Sequence, residues 1–454
     1  MSRDVLRGRL WLRVIWLSLG LALAAWTVGC NAANTPVQPA TASPRPPTRT
    51  PPPTRPDAPA AQPTIAVTTT SGIISLTWWT PEFISPKASA PAGPLLAKLL
   101  ADFEAAQDGK IRVTPVLKAK YGKGGLLDFL LAARSVAPTV LPDVVILDVA
   151  ELEPAAGAGV LQPLDNLLTP EVVNGLYPFA RQAGQFGGRL LAVQYVADLD
   201  HVIYNRGRLT SLPSTWAGLL AGKVIYVFPA SSPQPRSGAV PFDDVQHSVL
   251  SQYLSAGGLI DPKTRHLALQ EQPLLLTLSY YSDALQANLL PPEVLEASSL
   301  DDAWSLYVQG QAHAANVSAR RYLAGRESLP DAAFAPAPGW SNPAPPITSG
   351  WALAVVAADP ARQKAAAAFI NWLLAPENAG GWAQAAGWLP TAPKALAVWG
   401  ANPYREFLDR QLASAVSHPI GADYPQVAGR LQKAVTSVLR GASSPNDAAQ
   451  AALK

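Results

Sequence analysis

The sequence predicts an α/β fold behind a long extended leader, and three observations carry that prediction. A stretch rich in proline, threonine and alanine separates the N-terminus from everything after residue 71. Beyond it, β-branched runs alternate with segments whose apolar residues recur every three or four positions, the order of a βαβ unit. Finally, Val144-Val145-Ile146-Leu147 is an unbroken apolar run, typical of a strand inside a parallel sheet covered on both faces. The chain has 454 residues, enough for about two or three domains with sizeable cores.

Arg3, Arg7, Arg9 and Arg13 precede an apolar run from Val14 to Trp26. That run is shorter than the roughly 20 residues a helix needs to cross a bilayer, so its layout is that of a secretory signal. It closes on Thr27-Val28-Gly29-Cys30, which holds the single cysteine of the chain. This resembles the lipobox of bacterial lipoproteins, with Thr27 where that motif usually carries leucine. The resemblance implies a signal peptide over 1–29, lipidation at Cys30, and a protein held outside the cytoplasmic membrane. Residues 30–71 include Pro51-Pro52-Pro53 and almost no large apolar side chain, so they read as a disordered, extended linker. At about 3.1 Å per residue such a tether spans on the order of 120 Å.

After the linker, Ile73-Ile74-Ser75-Leu76-Thr77-Trp78-Trp79 reads as a buried strand. Leu95, Leu96, Leu99, Leu100 and Phe103 then share one helix face, and Ile111-Arg112-Val113-Thr114 alternates as a second strand. Pro142-Asp143-Val144-Val145-Ile146-Leu147-Asp148 is the third. Composition removes several classes of function. One cysteine excludes an intramolecular disulfide framework, and the 5 histidines show no zinc-type spacing. The formal charge of +3 is +3 in residues 1–29 and +2 in 30–71, which leaves −2 for 72–454. A module without net positive charge is not expected to bind nucleic acid.

Trp78-Trp79, Leu99-Leu100-Ala101-Asp102-Phe103-Glu104, Pro142-Asp143-Val144-Val145 and Gly159-Val160-Leu161-Gln162-Pro163-Leu164-Asp165 occur in that order. Val202-Ile203-Tyr204-Asn205, Leu212-Pro213-Ser214-Thr215-Trp216, Gly350-Trp351-Ala352-Leu353-Ala354-Val355 and Gly387-Trp388-Leu389-Pro390-Thr391 follow. Their order and spacing resemble the extracellular solute-binding proteins that include maltose-binding protein. The resemblance implies two α/β lobes of the periplasmic-binding type, three chain crossings, and a ligand cleft at the crossings. Lobe 1 would take 72–192 plus 350–386 and lobe 2 would take 193–349 plus 387–454. It further implies a monomer without cofactor that hands a small solute, best read as a carbohydrate, to the permease subunits of an ABC importer.

Sugar rings present flat C–H faces that stack on indole, and hydroxyls that need charged partners. Ten of the 13 tryptophans lie in the module. Those at inferred strand ends or crossings are the ligand candidates: Trp78, Trp79, Trp340, Trp351 and Trp388. Asp148, at the end of the third strand, is another. Tyr195 and Asp198 precede Tyr204-Asn205, where the resemblance implies a crossing that lines the cleft. Arg320 stands where sugar-binding relatives often carry an aromatic, which leaves room for an anionic ligand. Trp372 and Trp216 read as packing residues. Asp198, Asp200 and His201 lie close together, but a lone cluster without supporting geometry is not read as a catalytic or metal site. No Gly-x-Ser-x-Gly, His-Glu-x-x-His or phosphate loop occurs, so an enzyme is not expected. The alternatives left open are an anchored glycan hydrolase, which needs two carboxylates about 5–10 Å apart, and a solute sensor without transport.

Overall fold

The computed structural model describes residues 72–233 and 245–454. The expected signal peptide over 1–29, the expected lipidation at Cys30 and the expected linker over 30–71 lie outside the described residues.

The βαβ pattern is present as predicted. β1 (Ile74–Thr80) and β2 (Ile111–Leu117) run parallel, with Ile74 opposite Ile111 and Trp79 opposite Val116. The helix Ala92–Ala106 connects them and buries Leu96, Leu99, Leu100 and Phe103, which lie on one face at helical spacing. A second helix, Leu126–Val136, leads to β3 (Val144–Asp148), parallel to β1 and buried along its whole length. A buried strand has no solvent face on which to alternate, which is why its sequence is continuously apolar. Arg362 anchors this lobe from behind. Its Nε and Nη2 donate to both carboxylate oxygens of buried Asp143 at 2.6 Å each, and Nη2 also reaches the Ser75 carbonyl.

Two short hairpins, β4 (Gln185–Phe186) with β5 (Arg189–Leu190) and later β8 (Leu259–Ile260) with β9 (Leu267–Ala268), stand apart from the main sheet. The strand that organises the molecule is β6 (Val193–Asn205), 13 residues long. Its first half pairs with β12 (Ile347–Val355) on one edge and with β13 (Leu389–Pro390) on the other. Its second half pairs with β10 (Ala314–Ser318) and β11 (Ala332–Ala335). β7 (Tyr226–Val227) extends β10, and β14 (Val416–Ser417) pairs with β12. The result is one ten-stranded sheet with the path β2-β1-β3-β12-β6-β10-β7. β6 is the seam where one lobe's sheet becomes the other's.

All three crossings run side by side at that seam. Ala197 of β6 faces Gly350 of β12 across one edge and Leu389 of β13 across the other. Only glycine fits at 350, because its φ is 148° and a Cβ there would meet the Val196 carbonyl oxygen at 2.1 Å. Each lobe has an aromatic core of its own. Trp78 packs edge-on against Phe369 in the first. In the second, Trp216 stacks on Tyr280 at 4.7 Å, and a separate cluster surrounds buried His201 with Tyr322, Tyr404 and Phe407.

Candidate functional site

The C-terminal ends of β1, β2 and β3 open toward the seam, the place where open parallel sheets bind ligands. Four aromatic side chains from four segments meet there. Phe83, in the 3₁₀ turn Glu82–Ile84 after β1, lies edge-on to Trp351 at 5.2 Å and stacks on Trp388 at 5.8 Å. Tyr121, in the loop after β2, tilts over Trp351 at 5.9 Å. Trp351 comes from β12 and Trp388 from the residue before β13, so both sit on crossings.

Polar groups rim this cluster. Asp148 ends β3 opposite Trp351, accepts the Tyr121 hydroxyl at 2.7 Å, and caps the following turn through the Ala150 N–H. The Arg320 guanidinium lies 3.7 Å above the Trp388 ring and its Nε donates to the Gly387 carbonyl. The backbone N–H of Arg320 donates to Asp198, which also accepts the Leu199 N–H. Lys120 holds its ammonium 5.7 Å from the Phe83 ring. A cation therefore stands at either end of the Phe83–Trp388 stack.

Asp198 lies where β6 passes from one lobe's part of the sheet to the other's, opposite Ser349. Burial pushes its carboxyl up to about 6, against the opposing pull of the Arg320 charge and of the backbone hydrogen bonds. The Arg320 guanidinium is itself lowered by burial, with Asp198 offsetting part of that. His201 is sealed in the second core, its Nε2 at 2.8 Å from the Tyr404 hydroxyl, and burial lowers it to about 4. Asp198 and His201 thus serve different environments, and among the described residues no group of three or more His, Cys, Asp or Glu side chains could hold a metal ion.

Of the candidates from sequence, Asp148, Asp198, Arg320, Trp351 and Trp388 come together. Trp78, Trp79, Tyr195 and Trp340 do not join them. Trp78 is 0% exposed and belongs to the first core. Trp79 faces Phe129, with Lys118 at 4.6 Å from its ring. Tyr195 is buried and stacks on Trp382 at 5.3 Å. Trp340 is 45% exposed and leans edge-on against Trp216 in the second lobe. Sequence reasoning missed Phe83, Lys120 and Tyr121. All three lie a few residues beyond the end of a parallel strand, and that position was the available signal.

The sequence profile described as bacterial extracellular solute-binding protein matches residues 87–380. The chain belongs to this family. Solved structures share its fold. One is the cyclic α-maltosyl-1,6-maltose binding protein of Arthrobacter globiformis, with TM-score 0.68, 19% identity, and coverage of 84% of this chain and 97% of that one. A cyclo/maltodextrin-binding protein solved with maltotetraose gives TM-score 0.65, 17% identity and coverage of 85% and 97%. The Thermus thermophilus maltotriose binding protein bound with maltotriose gives 0.58, 18%, 84% and 98%. This solute-binding protein therefore has the two-lobe fold of those structures, and its family places it outside the cytoplasm. Among the described residues no helix is long and apolar enough to cross a membrane.

Proposed function

We propose that this solute-binding protein captures a saccharide between its lobes and delivers it to an ABC importer, without covalent chemistry, while tethered to the membrane through lipidated Cys30. The observation that carries the reading is the cluster of Phe83, Tyr121, Trp351 and Trp388 at the seam, rimmed by Asp148, Asp198, Arg320 and Lys120. Aromatic faces next to charged hydrogen-bonding groups are what a pyranose needs, a flat apolar side and a polar edge. Both carboxylates already serve as acceptors, Asp148 for Tyr121 and Asp198 for two backbone N–H groups, which suits holding better than proton transfer. The names of the structural neighbours, binders of maltose-type sugars, support the same class. We place lobe 1 at 72–192 plus 350–386 and lobe 2 at 193–349 plus 387–454, with closure pivoting on the three adjacent crossings.

A ligand that touches both lobes stabilises the closed state by RT ln(1 + [L]/Kd), about 2.7 kcal/mol at a hundredfold excess over Kd. A thermal-shift screen of neutral and acidic oligosaccharides, with amino acids, polyamines and organic anions as comparison, tests the reading. A saccharide should raise the melting temperature. A clear shift with another class and none with any saccharide removes the sugar assignment.

A further inference from the structure

Behind the aromatic cluster lies a cavity of about 340 Å³. It opens between the end of the helix Pro376–Ala386, the helix Ala319–Gly325, and the start of the helix Pro403–Ala413. Arg320, Arg326, Gln384, Trp399, Asn402 and Tyr404 contribute to its wall. Phe83, Tyr121, Trp351 and Trp388 do not, whereas Arg320 and Gly387 border both this cavity and the seam.

The charge of that wall is unbalanced. Two arginines line it and no carboxylate does. Arg320 uses its backbone N–H on Asp198 and its Nε on the Gly387 carbonyl, while its two Nη groups donate to nothing among the described residues. Arg326 lies 5.8 Å from the Tyr404 ring, and its side chain has no hydrogen bond or ion pair among the described residues. Guanidinium groups offer planar pairs of N–H donors that match the oxygens of carboxylate or phosphate bidentately. Arg320 feels the Asp198 charge from outside the cavity wall while Arg326 has no ion pair among the described residues, so the wall itself carries more cation than anion, and an oxyanion between the two guanidinium groups balances it. The volume is at the small end of ligand pockets, which suits a phosphate or a di- or tricarboxylate.

We propose that this cavity is a second binding site, for a small oxyanion clamped by Arg320 and Arg326. It shares Arg320 with the seam of the sugar reading but is tested at Arg326 and Gln384, which the seam does not use, so the two readings fail or survive separately. Because the same Arg320 guanidinium covers Trp388, occupancy is felt at the seam.

The test is a titration of the purified protein with inorganic phosphate, and separately with citrate, in a buffer free of other oxyanions and at low salt, where such contacts are least screened. Calorimetry and tryptophan fluorescence are followed together. The expected result is one saturable site for at least one of the two, with the preference between them identifying the oxyanion class, and a fluorescence change in step with it. Chloride at equal ionic strength should not reproduce the signal. Arg326→Ala, an exposed position, should weaken binding by about 10- to 100-fold, the scale of a lost hydrogen bond to a charged group, and Arg326→Lys should restore part of it. Gln384→Ala is the second variant, should Arg326→Ala alter the fold. No saturable binding of either anion up to about 10 mM, where affinity would be weaker than any specific clamp gives, overturns the proposal. Binding that both variants leave unchanged overturns it equally.

Discussion

Asp198→Asn isolates the electrostatics of the seam. The carboxyl of Asp198 normally titrates near 3.8, and burial raises it in the fold to about 6. Between those values the folded protein holds a proton that the unfolded chain has released. Stability therefore falls as pH rises through that window, and it stays reduced above pH 6. A displacement of about two units corresponds to about 3 kcal/mol at most, at 1.36 kcal/mol per unit. Asparagine keeps the Oδ1 acceptor for the N–H groups of Arg320 and Leu199 but carries no charge. Asp198→Asn should thus exceed the parent above pH 6 by up to about 3 kcal/mol, or roughly 4 °C in Tm for a fold of this size, and should converge with it below about pH 4. His201 acts in the opposite direction: its lowered value, about 4 against 6.5, gives stability that is full above 6.5 and lost on acidification. That contribution is common to both proteins, so it cancels in their difference. Melting curves of the two between pH 4 and 8 are the assay. A gap that does not vary with pH, or a variant less stable than the parent at pH 8, would show that attraction to Arg320 outweighs burial and would refute the argument.

Trp351→Ala and Trp388→Ala should each weaken binding of the identified saccharide by about 1–3 kcal/mol with a changed fluorescence response, whereas Trp78→Ala should cost about 3–5 kcal/mol of stability through a core cavity. If the first two destabilise the free protein yet bind unchanged, the seam aromatics are packing elements. Arg362→Ala strands the buried Asp143 carboxylate and should cost about 3 kcal/mol in a denaturant melt, with Arg362→Lys recovering only part because it lacks the bidentate fork. Cys30→Ser should move the protein from the membrane to the soluble fraction and abolish fatty-acid labelling, since each buried CH₂ of a lipid anchor contributes about 0.8 kcal/mol; persistent labelling is the adverse result.

Much of the first lobe was legible because its physics is local. The helix Ala92–Ala106 declares its buried face by spacing, and β3 declares its central place by having no polar residue before Asp148. The seam was legible only through resemblance, since nothing local distinguishes Trp351 at a crossing from Trp382 in a core. Trp78 and Trp79 show the limit sharply: neighbours on one strand face opposite sides, and periodicity alone does not say which side is core or whether either reaches a cleft. Trp340 was misplaced because its proline-rich surroundings look like a crossing, whereas the chain there folds back onto Trp216 and Ser255 in the second lobe. Phe83 and Tyr121 escaped notice because they sit in loops, where neither period applies.

The seam also bears on how such a chain reaches its destination. Asp148 of β3 is paired with Trp351, so the central ladder of the first lobe stays open until β12 has been delivered, after nearly all of the second lobe's strands. An N-terminal portion emerging by itself holds β1, β2 and β3 with one edge unclosed, and the loop that must form before closure is long and entropically slow. A protein threaded across a membrane in an extended state gains from that order. The interleaved crossings delay completion of either lobe until most of the chain is present, so the order of strands along the sequence itself favours a late closure of the fold.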